Sequence, residues 1–217
     1  TLEANPGTVE HHDFSQLRDA GVNRLSLGVQ SFNSEHLTSL GRIHNGQDAL
    51  VALDRARAGG FDNINIDLMH GLPGQNLEQA LDDLQQAIAC QAQHISWYQL
   101  TIEKNTEFYS RPPTLPAEER LLDIYEQGQQ LLASSGFAQY EVSAYAKHEQ
   151  LSKHNLNYWQ FGDYLAIGAG AHGKITQADK NQVFRYHKTR TPKDYLNPDK
   201  PFTVSVDRIA NENLVVE

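Results

Sequence analysis

Asn63 to Thr101 reads NINIDLMHGLPGQNLEQALDDLQQAIACQAQHISWYQLT, and this stretch decides the fold. Its first seven residues alternate polar and apolar, the period of a β-strand. Gly71-Leu72-Pro73-Gly74-Gln75 then makes a rigid loop. Asn76 stands as an N-cap before Leu77, Leu81, Leu84 and Ile88, which fall on one face of a helix. From His94 to Thr101 the chain is rich in Trp, Tyr and Ile and reads as a second strand. A strand, a helix and a strand in this order form a βαβ unit of a parallel sheet.

Working outward, the same alternation recurs. Thr1 to Asn5 is a strand entering the turn Asn5-Pro6-Gly7, and Asp13 to Ala20 is a helix stopped by Gly21. Arg24 to Gln30 is a strand, and Asn33 caps a short helix to Leu40. A helix over Gln47 to Ala58 ends at Gly59-Gly60. Beyond a proline-rich loop with Pro112, Pro113 and Pro116, Ala117 to Ser135 is a long helix. Phe137 to Tyr145 reads as one strand and Tyr164 to Ala171 as another, after which the pattern weakens beyond Thr176. The expected fold class is α/β, a (β/α) barrel of the TIM type, with an open five- or six-strand sheet as the alternative. A full barrel needs about 250 residues. The chain has 217 and opens inside a strand, so a partial barrel that begins part-way round is expected.

Composition narrows the function classes. Hydrophobic residues at 39% and charged residues at 21% are those of a globular protein and exclude disorder as the main state. No apolar run reaches the roughly 18 residues of a membrane helix, and the first residues do not form a secretory signal. The net charge of −9 argues against nucleic acid as a partner. A basic stretch from Lys174 to Lys193 reads as a solvated surface loop or as a site for an anionic ligand. Cys90 is the one cysteine. It excludes an internal disulfide framework, points to the cytoplasm, and reads as a small buried hydrophobe.

In parallel α/β folds ligands lie at the carboxyl ends of the strands. That rule selects Glu3, Gln30, Asp67 with Asn65 on its face, Thr101 and His172. A carboxylate inside an apolar strand, such as Asp67, is costly unless paired or ligand-bound. Arg42, in the loop before a helix, is suited to holding a carboxylate bidentately or is a surface arginine. Gly168 to Gly173 matches G-x-G-x-x-G, but the residues after it lack the periodicity of the required helix, so a dinucleotide fingerprint is rejected. His154, Tyr158 and Trp159 fall within six residues. They read either as a helix N-terminus with aromatic core contacts or as flanks of a flat cofactor with an imidazole for iron. His148 and His154 are poorly spaced for a metal pair, and His11-His12 reads as surface.

EANPG (Glu3–Gly7), RLSLGVQSF (Arg24–Phe32), LGR (Leu40–Arg42) and INIDLMHGLPGQ (Ile64–Gln75) together resemble the radical S-adenosylmethionine proteins of the oxygen-independent coproporphyrinogen oxidase group. HNLNYW (His154–Trp159) and GAGAHG (Gly168–Gly173) are more similar to its heme-chaperone branch than to its oxidase branch. The resemblance covers most of residues 1–176. It implies a barrel portion over 1–176 and the start of a C-terminal region over 177–217, with most of that region lacking. It also implies S-adenosylmethionine as cofactor, with Glu3 on its amino group, Arg42 on its carboxylate, Gln30 and Asp67 on the ribose hydroxyls, and the Thr101 backbone beside adenine. His172 is carried as part of the same region, and His154, Tyr158 and Trp159 as heme contacts. The family's [4Fe–4S] cluster sits on a three-cysteine loop after the first strand; no such loop is in this sequence, and it is expected upstream of Thr1.

Three functions follow as expectations. The first is a heme chaperone that delivers heme to respiratory membrane proteins. The second is oxygen-independent decarboxylation of coproporphyrinogen III to protoporphyrinogen IX. The third is a nucleoside-binding regulator. The chain alone is expected to be inactive, and its oligomeric state is left open.

Overall fold

A six-stranded sheet in the order β1-β2-β3-β4-β6-β5 organises the first part of the computed structural model, which describes residues 1–7, 14–147 and 150–210. Strands β1 (Leu2–Ala4), β2 (Leu25–Gln30), β3 (Ile64–His70) and β4 (His94–Gln99) run parallel. Between them lie α1 (Phe14–Asp19), α2 (Ser34–Ser39), α3 (Gly46–Ala58) and α4 (Leu77–Ala89). The short α5 (Glu107–Ser110) and the long α6 (Glu118–Ser134) follow β4.

The helix starts are where the sequence puts them, because side chains satisfy their orphan N–H groups. Asn33 accepts from Glu35 and His36, and Asn76 accepts from Gln79 while the Gln79 side chain accepts from the Asn76 N–H, a closed capping box. Asp13, read as the start of the first helix, lies outside the described residues.

Alternation gives the sheet two unlike faces. Leu25, Leu27, Val29, Ile64, Ile66, Leu68, Ile95 and Trp97 form the outer face, each at most 1% exposed. They pack on Phe14, Leu53, Ala56, Leu84, Ile124 and Leu132 of the helices. Burying each such side chain is worth about 1.5–3 kcal/mol. The inner face, set by the register Glu3↔Ser26, Ser26↔Asn65, Asn65↔His94 and Asp67↔Ser96, is polar. Two-sided burial in a parallel sheet ordinarily gives continuous apolar strands; here the second face is given to hydrogen-bonding groups.

Phe137 to Tyr145 is not one strand. It folds into an antiparallel hairpin of β5 (Ala138–Glu141) and β6 (Ala144–Ala146), and β6 adds antiparallel to β4. Ser143, with φ 59°, makes the left-handed turn that reverses the chain. Cys90 closes α4 and is half-buried against the core rather than fully buried.

The chain divides into two compact units, 1–151 and 152–217, whereas the sequence reading sets the boundary at 176. The second unit holds α7 (Lys153–Trp159), capped by Ser152, the short α8 (Pro192–Tyr195), and a three-stranded antiparallel sheet. Its strands are β7 (His172–Gln177), β8 (Gln182–Lys188) and β9 (Thr203–Arg208). Two expectations change here. Tyr164 to Ala171 is irregular, with only a single bridge from Tyr164 to Lys174, since its glycines favour loop conformations. The weak pattern after Thr176 conceals two strands, because both faces of β8 carry mixed, half-buried residues.

Gly128 of α6 lies flat against the Trp97 ring, and a methyl group there would overlap the indole. Gly128→Ala is therefore predicted to destabilise the chain by about 1–3 kcal/mol, read as a lower urea midpoint. An unchanged midpoint would show that α6 does not seat on Trp97 in this way.

Candidate functional site

The polar inner face is a connected network with one direction. Tyr140 Oη donates to His94 Nε2 at 2.7 Å, and His94 Nδ1 donates to Asn65 Oδ1 at 2.6 Å. Asn65 Nδ2 donates to Asp67 Oδ1 at 2.7 Å and to Ser26 Oγ at 2.6 Å. Ser26 Oγ donates to the other carboxylate oxygen of Asp67 at 3.1 Å, and Ser96 Oγ donates to Asn65 Oδ1 at 3.2 Å. Every donor in the chain points toward the Asp67 carboxylate. Each carboxylate oxygen can accept two hydrogen bonds. Asn65 and Ser26 take one position on each oxygen, which leaves the carboxylate with acceptor capacity for a ligand hydroxyl.

Burial raises the Asp67 pKa above the ordinary carboxylate range; donors on Ser96, Asn65 and Ser26 partly offset this, and the Glu3 charge adds to it. His94 is driven down to about 3 by burial and then by the Arg24 charge, so it is neutral, as the two hydrogen bonds at its ring require. Burial also raises Tyr98, with the Asp67 charge adding to it.

At the carboxyl end of β2, Gln30 takes a left-handed φ of 69° and is 4% exposed. Its Oε1 accepts from Tyr98 Oη at 2.7 Å, and among the described residues its Nε2 has no hydrogen-bond partner. Gly28 lies beneath it. A Cβ at Gly28 would stand 2.8 Å from Asn5 Oδ1 and 2.9 Å from Gln30 Nε2, so the strand keeps a backbone-lined floor there. Arg42 Nη1 donates to Asn5 Oδ1 at 3.2 Å. Arg42 also borders a cleft of about 500 Å³ whose lining includes Leu40, Met69, Leu100, Thr101 and Phe108.

The structure thus brings Glu3, Gln30 and Asp67 to one face of the sheet, and Arg42 and Thr101 to one cleft. His154, Tyr158, Trp159 and His172 belong to the second unit. On α7 the His154 ring meets Tyr158 edge-on at 4.9 Å, and Tyr158 meets Tyr164 at 4.8 Å. Trp159 is 64% exposed and Tyr158 47%, so these aromatics are not core contacts. His172 stacks on His187 across β7 and β8. Lys174 is no part of a basic surface. It is 2% exposed, ion-paired with Asp163 at 3.2 Å and lies over the Phe161 ring. Gly173 lies within β7, so strand and not helix follows the glycine run. His11, His12 and His148 fall outside the described residues.

Sequence reasoning missed Ser26, His94, Ser96, Tyr98 and Tyr140. The first four were legible as period-two partners of Asn65 and Asp67 on the neighbouring strands; Tyr140 depends on the hairpin. The donor set and the open floor at Gly28 fit a nucleoside with a cationic, carboxylate-bearing tail. They do not fit an iron–sulfur cluster, because the one thiol, Cys90, closes α4 among the helices and burial raises its pKa.

Residues 1–87 match the model of the radical SAM superfamily. The chain is 58% identical over 196 residues to the heme chaperone HemW of Haemophilus influenzae, covering 90% of this chain and 51% of that protein. It is 53% identical over 220 residues to the heme chaperone HemW of Escherichia coli, covering 96% and 58%. The chain therefore spans about half the length of the curated relatives it matches. Coproporphyrinogen III oxidase (HemN) from Escherichia coli, described as a radical SAM enzyme, shares the fold with a TM-score of 0.77 at 21% identity, over 98% of this chain and 52% of that one. Among the described residues no helix is long and apolar enough to cross a membrane.

The buried histidines set a pH dependence. His70, whose ring lies tilted against Trp97 at 4.3 Å, is driven down to about 4 by burial. Below pH 6.5 the unfolded chain protonates both rings, while the folded chain resists until about 4 at His70 and about 3 at His94. Their contribution is thus fully present above pH 6.5 and falls on acidification, by up to about 1.4 kcal/mol per pH unit for each ring. His70→Phe keeps an aromatic ring against Trp97 and is predicted to flatten the stability profile between pH 6.5 and 4 relative to wild type. Parallel urea-stability profiles for the two proteins would contradict this.

Proposed function

We propose that the full-length protein is a cytosolic heme chaperone of the radical S-adenosylmethionine superfamily, whose model matches residues 1–87, and that it binds S-adenosylmethionine and passes heme to respiratory hemoproteins. The observation that carries this reading is the 58% and 53% identity to proteins named heme chaperone HemW, set beside an α7 that exposes Tyr158 and Trp159 next to His154.

The roles of individual residues follow from their chemistry. Asp67 would accept from the ribose diol, and the amide nitrogen of Gln30, unpartnered among the described residues, would donate to the same sugar. The Arg42 guanidinium, steadied by Asn5, suits the carboxylate of the methionine tail, and Glu3 suits its ammonium. The part of the cleft between Leu100 and Met69, with the Thr101 backbone at its edge, suits adenine. When bound beside a cluster, S-adenosylmethionine supplies a 5′-deoxyadenosyl radical. Its cluster ligands would come from residues outside this sequence.

Heme is the cargo rather than a resident group. The exposed Trp159 and Tyr158 rings offer flat apolar surface for a porphyrin, and the His154 imidazole is the iron ligand. His154 lies on the solvent-exposed side of a helix of seven residues, which leaves room for release.

Titration of full-length protein with hemin should shift the Soret band, and His154→Ala should weaken hemin binding at least about tenfold, the loss of one metal–ligand contact or its close partner. The same protein with cluster, S-adenosylmethionine and reductant should leave coproporphyrinogen III unchanged under anaerobic conditions. Protoporphyrinogen IX as product would replace the chaperone reading with the oxidase one.

A further inference from the structure

We infer that Asp83 and His44 are positioning residues for Gln30, holding the turn after β2 so that the Gln30 amide is presented to a nucleoside ligand. The inference rests on the reading of Gln30 as a ligand contact.

A non-glycine residue at φ 69° is strained, and it persists only where its surroundings over-determine it. Around Gln30 three groups do so. On the near side, the Val29 carbonyl accepts from His44 Nε2 at 3.0 Å and from the Ser31 N–H at 2.9 Å. On the far side, the Asp83 carboxylate reaches up from α4. Its Oδ2 accepts from Ser31 Oγ at 2.7 Å and its Oδ1 accepts from the Phe32 N–H at 2.7 Å. Ser31 Oγ in turn accepts from the Asn33 N–H at 3.0 Å, which fixes the hydroxyl proton toward Asp83. Asp83, His44 and Ser31 are 2%, 4% and 0% exposed.

A buried carboxylate in an amphipathic helix is costly, and a Leu–Leu style contact would serve packing alone better. Asp83 instead spends both oxygens on the two residues that follow Gln30. Nothing in the helix requires this; the turn does. The fourth contact is at the tip, where Tyr98 Oη occupies Gln30 Oε1 and so fixes which end of the amide faces outward. The amide nitrogen, without a partner among the described residues, is then the end offered to a ligand. The stretch from Val29 to Phe32 is therefore a preset clamp, in which Asp83 and His44 act on the ligand only through Gln30.

The test is a double-mutant cycle on full-length protein, with S-adenosylmethionine binding measured by calorimetry and melting temperature recorded beside it. Gln30→Ala is expected to weaken binding about tenfold, the worth of one hydrogen bond to a charged or polar ligand. Asp83→Asn is expected to weaken it comparably, and to have no further effect in the Gln30→Ala background. Ser31→Ala, a milder change that removes one of the two grips, should show the same coupling if Asp83→Asn fails to fold. If Gln30→Ala weakens binding but the effects of Asp83→Asn or Ser31→Ala are absent or simply add, the positioning role is overturned while the nucleoside reading stands. If Gln30→Ala leaves affinity unchanged, both fall together.

Discussion

The carboxylate of Asp67 in the middle of a parallel strand constrains everything around it. A charge there must be hydrogen-bonded, and the neighbouring strands supply the donors in register: Asn65 two residues away, Ser26 on β2 and, through Asn65, Ser96 and His94 on β4. Those partners must face the same way, so the whole inner face becomes polar. The outer face then has to provide the cohesion, and it does so through buried Leu, Ile, Val and Trp side chains against four helices. Asp83 repeats the device at the end of β2, with a buried carboxylate fixing a turn instead of a strand.

Much of this was legible from residues. The period-two alternation of Asn63 to Met69 and the caps at Asn33 and Asn76 gave the βαβ order and the helix starts, because local hydrogen bonding decides both. The hairpin of β5 and β6 was not legible. F-A-Q-Y-E-V-S-A-Y has strand propensity throughout, and the reversal depends on a serine accepting φ 59°, which no turn motif announces. The β7–β9 sheet was hidden for another reason. β8 is half-buried on both faces, so no clean alternation marks it, and β9 is a short, largely exposed strand whose two valines face solvent.

The site divides the same way. Asp67, Gln30 and Arg42 stood out as polar groups at strand ends. Tyr98, His94 and Tyr140 did not, since each gains meaning only from the strand beside it. Lys174 misled the reading of charge: counted as part of a basic stretch, it is withdrawn into the second unit by Asp163 and the Phe161 ring. A charge in sequence is available to a ligand only when nothing in the fold has already paired it.

The most direct test of the account is the contribution of the ribose hydroxyls. Full-length protein would be titrated with S-adenosylmethionine and with its 2′-deoxy and 3′-deoxy analogues, in wild type and in Asp67→Asn. The account predicts that removing a hydroxyl weakens binding in wild type and matters much less once the carboxylate is gone. Equal affinity for all three ligands in wild type would contradict the assignment of the polar face as the nucleoside site.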